Sequence, residues 1–596
     1  MAASPLSNSD GVIKYSITAD GTALKDSVNV LMIEVISEVN RVPSARIIVS
    51  DGDMPGKDFP LSTESCFKPG TSIEIKAGYA SSETLIFSGL VIGMGISIGM
   101  NNDSSLVIEC KDKCVAMTIA RTSENYTSKT DSQIIEEIIG NYSGLEKSVS
   151  ATSSQYNELV QFNCTDWDFV LSRAEANGYV ICVDAGKLTI GEPQVTGTGE
   201  LTVTYGEDLI DFSADLDARY QLSSVSGVCW DPATQKVQQE KVEAQTLNKQ
   251  GDLSSSDLAA TLSIDNFRLQ TSNTLDSASL KAWAKGQQIK SALARIQGTM
   301  KFQGSATAKI GSLIEIAGVG SRFNGLVYVS RVHHELVDGQ WLTDIEFGMS
   351  PHWSSEHRDI SAPPASGLLP AVEGLQIGVV MKLDGDPSGQ NRIQVQVPVL
   401  QASTEGVWAR LATFYASEDI GNFFIPEIGD EVVLGYFNNN PSEPVILGSL
   451  YSSKRKPAYD LTAENNIKAI ITKSKLKIEF NEEDKVITII TPGENKVVIS
   501  DKDKSIVLED QNSNKLELNS SGITLDSPKD INITAKGKMT LSAVGEMSLS
   551  SNADLKLAGL NINQTAQVGF VAKGSASAEL SASGQTTIKG AMVMIN

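Results

Sequence analysis

Between residues 530 and 559 the apolar residues come in pairs, two positions apart, and the pairs recur every eight residues: Ile531/Ile533, Met539/Leu541, Met547/Leu549 and Leu555/Leu557. A spacing of two places both members on one face of a very short strand. Small and polar residues fill the intervals, with Gly537 and Gly545 placed for tight turns. The same pairing begins earlier in looser form, at Leu476/Ile478, Ile487/Ile489, Val497/Ile499, Ile506/Leu508, Leu516/Leu518 and Ile523/Leu525. A fixed short period of this kind predicts a solenoid-like β array. So little apolar surface per turn cannot enclose a core within one chain. Three chains wound about one axis would close a prism whose inner faces are these pairs, which makes the predicted state a homotrimer.

The first half carries a different repeat. "KPGTSIEIKAG" followed by "LIFSGLVIGM" (68–78, 85–94) is similar to "KIGSLIEIAGV" followed by "RFNGLVYVSRV" (309–319, 322–332). Gly70 precedes Ile73-Glu74-Ile75, and Gly311 precedes Ile314-Glu315-Ile316. Phe87, Gly89, Leu90 and Val91 then align with Phe323, Gly325, Leu326 and Val327. Two matched motifs in one order predict a duplicated β-barrel. Helices are few. Thr130 with Gln133 forms a capping box before Ile134, Ile135, Ile138 and Ile139. Thr165 with Asp168 opens a second helix that stops at Gly178. Leu280, Trp283, Ile289, Leu293 and Ile296 mark a third over 276–297. "SAPPASGLLP" (361–370) reads as a linker. About five alternating strands over 373–451 suit a small Greek-key barrel of the OB type.

Composition sharpens this division. All the Trp, Cys, His, Tyr and Arg residues lie before residue 460, and only Phe480 and Phe570 supply aromatic rings after it. Large aromatics fill thick cores, so the last quarter is thin and repetitive. The fold class is therefore mainly β: duplicated hub barrels with a few helices, an OB-fold barrel, and a C-terminal intertwined trimeric β-helix needle. The expected boundaries are 1–360 for the hub, 361–372 for the linker, 373–455 for the OB domain and 456–596 for the needle. Net charge is −23 without a basic cluster, which argues against nucleic acid, since that affinity rests on Lys and Arg neutralising phosphates. The first residues lack the charged start and apolar run of a signal peptide. No apolar run reaches 18 residues, and six irregularly spaced Cys make no disulfide framework. Synthesis in a reducing bacterial cytoplasm, without a signal peptide, is expected.

Candidate chemistry is sparse. Gly95-Ile96-Ser97-Ile98-Gly99 matches the G-x-S-x-G string of serine hydrolases, but that string needs a strand-to-helix elbow, and here alternation continues into another strand. His333 and His334 are neighbours on a strand and would point to opposite faces. Cys110 and Cys114 lack a second pair at zinc-finger spacing. Catalytic residues, metal ligands and cofactors are all expected to be none.

The series over 374–452 resembles the VgrG spike family, the hub-and-needle fusions of type VI secretion systems, contractile phage tails and related injection particles. It comprises Gly378, the turn at 384–387, "RIQVQVP" (392–398), "VWARLA" (407–412), "FFIPEIGDEVVLGYF" (423–437) and "PVILGSLYS" (444–452). "EVNRVPSARIIVSDGD" (38–53), "QFNCTDWDFVLSRAEANGY" (161–179), "SSVSGVCWDP" (223–232) and "HHELVDGQWLTDIEFG" (333–348) extend the likeness over the hub. The resemblance implies a structural, non-enzymatic spike and baseplate hub. It would join a hexameric inner tube to a membrane-piercing needle and carry a tip protein and effectors. Partners implied are two further copies of the chain, inner-tube and baseplate proteins at the hub, cargo, and a PAAR-type tip protein. The tip would dock on Met592, Val593, Met594, Ile595 and Asn596, where the repeat ends in an apolar cluster. A target membrane would be pierced and not stably bound, and the particle delivered to the extracellular space or a target cell. Two similar barrels per chain and three chains per spike would give six pseudo-equivalent hub units, which match a hexameric tube. The alternative is an envelope-degrading hydrolase spike using Ser97; a receptor-binding tail fibre is a third reading.

Overall fold

The structure, a computed structural model, describes every residue except 1–2, 9–10, 81, 101–102, 246, 358–359, 401–405 and 596. The chain divides into two compact units, 1–450 and 451–596.

In the first unit the duplicated motif becomes two sets of six strands. The first set is β1 (Ile13–Ala19), β2 (Val30–Glu38), β3 (Ser44–Ser50), β4 (Ser72–Tyr79), β5 (Ser82–Ile98) and β6 (Ser104–Lys111). The second is β7 (Leu201–Thr204), β8 (Leu209–Leu216), β9 (Ile296–Gln303), β10 (Leu313–Ala317), β11 (Gly325–Val337) and β12 (Gln340–Phe347). Their orders correspond: β1-β4-β5-β6-β3-β2 and β7-β10-β11-β12-β9-β8. Bulges recur at matching places. One lies between Val91 and Gly93 on β5 and between Val329 and Arg331 on β11; another between Val30 and Met32 on β2 and between Leu209 and Asp211 on β8. The halves differ at one edge, where β1 meets β4 antiparallel and β7 meets β10 parallel. Each half buries its own core, around Ile33, Ile47, Ile73 and Ile108 in one and Met300, Ile314, Val327 and Ile345 in the other. They are nevertheless one continuous sheet of 13 strands, because β11 pairs with β2.

Register corrects one alignment. Ile75 faces Phe87, and Ile316 faces Gly325. The structural counterpart of Phe87 is thus Gly325, two residues past Phe323. A slip of two keeps every side chain on its face, which is why the sequence motif tolerates it.

Along the chain two helices lie between the strand sets and two lie within the second set, between β8 and β9. Helix α1 (Asp131–Gly140) starts at the Thr130/Gln133 capping box, and α2 (Asp166–Ala176) at Thr165, whose hydroxyl accepts from the Asp168 amide at 3.1 Å. Gly178 follows at φ +71°, a conformation that suits glycine. Both helices cover a small sheet through Ile134, Ile138, Val170 and Ile181. Helix α3 (Ser255–Leu262) has a capping box of its own, Ser254 with Asp257, and was not anticipated because only Leu258 and Ala259 of its face are buried apolar residues. Helix α4 (Ser277–Leu293) starts at Asp276. A buried pair, Lys290 Nζ to Glu175 Oε1 at 2.6 Å, ties α4 to α2. None of the helices among the described residues is long and apolar enough to cross a membrane.

The 361–370 stretch folds back on the barrel that follows, where Asn438 Nδ2 donates to Ser366 Oγ at 3.0 Å. That barrel closes on itself: β13 (Gln376–Lys382), β14 (Ile393–Gln396), β15 (Val407–Leu411), β16 (Glu431–Tyr436) and β17 (Pro444–Ser449), with β13 paired to both β14 and β16. In the turn after β13, Asp386 accepts from the amides of Ser388 and Gln390 and from the Arg392 guanidinium at 2.8 Å.

In the second unit seven strands, β18 (Ile467–Ile471), β19 (Lys477–Asn481), β20 (Val486–Ile490), β21 (Lys496–Ser500), β22 (Ser505–Glu509), β23 (Lys515–Asn519) and β24 (Gly522–Asp526), form an antiparallel meander in chain order.

Candidate functional site

The residues that could have signalled chemistry are placed apart. Ser97 sits within β5, exposed and opposite Ser105 on β6, so no elbow presents it. His333 and His334 face opposite ways along β11. His333 Nε2 lies 3.0 Å from Glu34 Oε1, whereas His334 Nδ1 is 3.0 Å from Thr343 Oγ1 and packs against Trp341. Burial, with the neighbouring His333 adding to it, pushes the His334 imidazole down to about 3, so it is neutral at pH 7. Burial pushes the Cys110 thiol up to about 12 and holds the Cys114 thiol still higher, and both remain protonated. A protonated buried thiol is neither a nucleophile nor a ready metal ligand. Among the described residues no three His, Cys, Asp or Glu side chains converge as a metal site.

What the structure does bring together is apolar surface without cover. In the second unit the strands bring the pairs into line. Ile478 stands opposite Ile489 and Phe480 opposite Ile487; Ile487 and Ile489 then face Ile499 and Val497, and the pattern continues through Ile506/Leu508 and Leu516/Leu518 to Ile523/Leu525. One strip of apolar side chains therefore runs the length of the meander. Leu476 lies just before β19, and Phe480 takes the place expected for it. The alternate positions carry ion pairs such as Lys496–Glu509 at 3.1 Å.

Beyond Asp526 the chain forms no ladder with itself, and every described residue from 528 to 595 is exposed. Bends nevertheless recur every seven to eight residues, at 528–529, 536–537, 544–545 and 552–553 and on to 583–584 and 591. Ile531, Ile533, Met539, Leu541, Met547, Leu549, Leu555 and Leu557 all lie in this stretch, exposed in the single chain. Met592, Val593, Met594 and Ile595 are exposed as well, and Asn596 lies outside the described residues. Sequence reasoning missed two further apolar patches. One is Phe414, Tyr415, Phe423 and Phe424 around a short hairpin that follows β15; the other is the exposed row Ile92, Met94, Ile96 and Ile98 on β5, with Met100 just beyond its end. The second was legible as alternation with Gly and Ser.

Three family models match in order along the chain. Residues 9–338, more than half of it, match the Alg8 N-terminal domain. The chain belongs to that family. Residues 376–451 match the type VI secretion system/phage-baseplate injector OB domain, and 486–596 the phage baseplate V C-terminal trimerisation domain. The OB and trimerisation matches, in this order, support the resemblance to VgrG-type spikes. Among curated relatives, the type VI secretion system spike protein VgrG1a of Pseudomonas aeruginosa is 27% identical over 150 residues, 23% of each chain. VgrG1b of the same organism is 28% identical over 124 residues, 19% of this chain and 17% of that one. The actin cross-linking toxin VgrG1 of Vibrio cholerae is 25% identical over 147 residues, 23% of this chain and 13% of the toxin. The matches thus span less than a quarter of these relatives' lengths. Among solved structures, the 43 kDa tail protein of a Shewanella oneidensis prophage aligns at TM-score 0.41 and 13% identity, over 57% of this chain and 98% of that one. An Escherichia coli component of the type VI secretion system aligns at 0.38 and 13%, over 73% and 99%. From β20 onward the apolar strip lies within the segment that matches the trimerisation domain.

Proposed function

We propose that this protein is the structural spike of a contractile injection system, a homotrimer whose C-terminal segments wind into one needle and whose N-terminal units form the hub. The observation that carries the reading is the aligned apolar strip of the meander together with 528–595, where regularly spaced apolar pairs are exposed in a single chain. Burying them in copies of the same chain removes them from water, at about 25 cal/mol per Å2 of apolar surface. The match to a trimerisation domain over 486–596 supports the same arrangement. Sedimentation or mass photometry of the intact protein should give about three times the 63.7 kDa chain mass; a stable, well-folded monomer at micromolar concentration would remove the needle reading.

Finer roles follow from that frame. The hub joins inner tube and baseplate to the needle, the particle is assembled in the cell and delivered outside it, and effectors travel with the spike. Met592, Val593, Met594 and Ile595 are the docking face for a small PAAR-type tip protein. Deleting 592–596 should leave the trimer folded and abolish capture of a purified tip protein. Equal capture by the truncated trimer would place the docking face elsewhere. The protein acts mechanically and not as an enzyme: Ser97 lies within a paired strand, and the buried Cys110, Cys114 and His334 are neutral. Turnover of peptidoglycan or ester substrates that is lost on Ser97→Ala would refute this.

A further inference from the structure

The first unit contains a cleft of about 350 Å3 where three pieces of structure meet. One wall is the outer face of the small sheet made by Glu146–Val149, Val180–Asp184 and Lys187–Gly191. The others come from β5 at Leu85 and Ile86, from the loop that leads into β10, and from β11 at Tyr328, Val332 and His334. Ligand pockets concentrate at such junctions, and the volume falls at the lower end of their range of about 300–1,000 Å3. A dry cavity of about 150 Å3 already holds benzene. The cleft therefore has room for one ring with a short substituent.

Its walls are of two kinds. On the small sheet, alternation turns Leu188 and Ile190 into the core beneath α1 and α2 and turns Thr189, exposed, the other way. Register places Cys182 opposite Thr189 on one side and Ser148 opposite it on the other, a row of one thiol and two hydroxyls. Much of the remaining lining is apolar, with Ile86, Ala306, Ala308, Ile310 and Val332. The Asp, Glu and Lys residues of the lining are all paired: Lys309 Nζ with Asp184 Oδ2 at 2.8 Å, and Glu192 Oε1 with Lys285 Nζ at 2.5 Å. Burial pushes the Cys182 thiol up to about 11 and raises the Tyr328 phenol well above its ordinary value, so both are neutral, as is His334.

Two neutral donors stand on the β11 side. Tyr328 is 1% exposed, and its Oη is buried without a hydrogen-bond partner among the described residues. An unsatisfied buried hydroxyl is destabilising, and Phe would fill the same space without it. Oη lies beside Gly311, where a built Cβ would come within 3.8 Å of it and within 2.8 Å of Cys182 Sγ. On His334 the proton can be placed by elimination. The Thr343 hydroxyl is fully buried, accepts from the Ser305 amide at 3.0 Å and gives its own proton to His334 Nδ1 at 3.0 Å. The imidazole proton then sits on Nε2.

We propose that this cleft binds a small uncharged ring compound whose oxygen accepts from the Tyr328 hydroxyl and whose ring lies against the apolar wall. The Cys182 thiol beside Oη turns aside to admit the oxygen, and His334 Nε2–H offers a second donor. An ionised ligand is refused, because the cleft holds no unpaired charge to replace its water. The site belongs to the hub alone and goes beyond the mechanical role.

The test measures binding of acetophenone, toluene and benzoate to the full-length protein by ligand-observed NMR titration. The three share a ring; the first adds a neutral acceptor and the last a charge. Acetophenone should bind saturably, toluene several-fold more weakly, and benzoate at least tenfold more weakly. Tyr328→Phe should bring acetophenone down to the level of toluene and leave toluene unchanged. The same variant without ligand should melt at the wild-type temperature or above it, the opposite of what loss of a structural hydrogen bond would do. Thr189→Trp, at an exposed position, should fill the cleft and abolish binding of both neutral probes with an unchanged circular dichroism spectrum. Absence of saturable acetophenone binding, or equal binding of benzoate, overturns the site's chemistry. Wild-type acetophenone affinity in Tyr328→Phe overturns the role of the hydroxyl, and undiminished binding in Thr189→Trp places the probe elsewhere and overturns the site. None of these outcomes bears on the mass of the assembled spike, so the trimeric reading is tested separately.

Discussion

The OB barrel and the C-terminal meander are both antiparallel-rich β structures of short strands, yet they handle apolar side chains in opposite ways. In the barrel, Val380, Val395, Ala409, Val432, Leu434 and Ile446 are 0% exposed. Five strands close into a ring within about 75 residues, so every inward side chain meets others of the same chain. In the meander, Ile489 and Leu525 are 46% and 56% exposed, although their alternation is at least as regular. Regular patterning dictates a strand and a face; whether that face finds cover depends on whether the sheet can close alone. Here seven strands in chain order make an open ribbon whose ends do not pair, and its face is left for a partner. The barrel is a fold of one molecule and the meander a part of an assembly.

The largest effect should come from breaking the second region at its inward face. Leu549→Asp places a carboxylate three times per turn into the proposed trimer core, at a cost of several kcal/mol per copy for each buried unpaired charge. Ser548→Asp, one residue away, points outward. Trimer survival in SDS or on heating should fall sharply for the first variant and stay near wild type for the second. Equal tolerance would show that the register of the needle is different.

Breaking the barrel should be costly in another manner. Leu434→Ala removes a fully buried side chain and should destabilise the barrel by about 2–5 kcal/mol. Because the barrel is self-contained, that loss should not depend on protein concentration, whereas loss of the needle should follow mass action. Hydrogen exchange at barrel amides, measured across a dilution series, separates the two. Protection in the barrel that falls on dilution would erase the contrast drawn above.

Acid offers a third probe of burial within one chain. His334 is held at about 3 in the folded hub and titrates near 6.5 when unfolded. The folded state then binds fewer protons between those values. Its contribution to stability is whole above about pH 6.5 and is lost progressively as the pH falls towards 3. In chemical denaturation, wild-type stability should therefore fall as the pH drops from about 6.5 towards 3, and that of His334→Asn should fall less steeply over the same range. The effect should be independent of concentration. An unchanged pH slope in the variant would show that His334 is not the group responsible.

How much of this was legible in the sequence follows the same division. The apolar pairs, the barrel strands and the capped helices α1 and α2 rest on local signals of two to four residues, and these the chain states directly. The pairing of 331–337 with 32–38 joins segments some 300 residues apart, and no local pattern reports it. Only the hydrogen-bond register shows that Phe87 corresponds to Gly325 and that Phe480, and not Leu476, completes its pair. Ser97 was conspicuous as chemistry and inconspicuous as architecture, because the motif that flags it ignores the Ile residues on either side. Those Ile residues are the ones left uncovered.

The smallest expected effect concerns the other face of the meander. Lys496 and Glu509 pair at 3.1 Å across neighbouring strands, each about a third exposed. Ion pairs so placed contribute about 0–1 kcal/mol and weaken with salt. Glu509→Gln should therefore shift thermal stability of the assembled needle only slightly, and less at high ionic strength than at low. Leu508→Gln, one residue earlier and on the apolar strip opposite Val497, should do far more at any salt concentration. The comparison isolates the face from the strand, since the two substitutions share a strand and differ in direction alone. If Glu509→Gln proved the more damaging, the charged face and not the apolar one would be the inner wall of the needle, and the difference between barrel and meander would have to be drawn on electrostatic grounds.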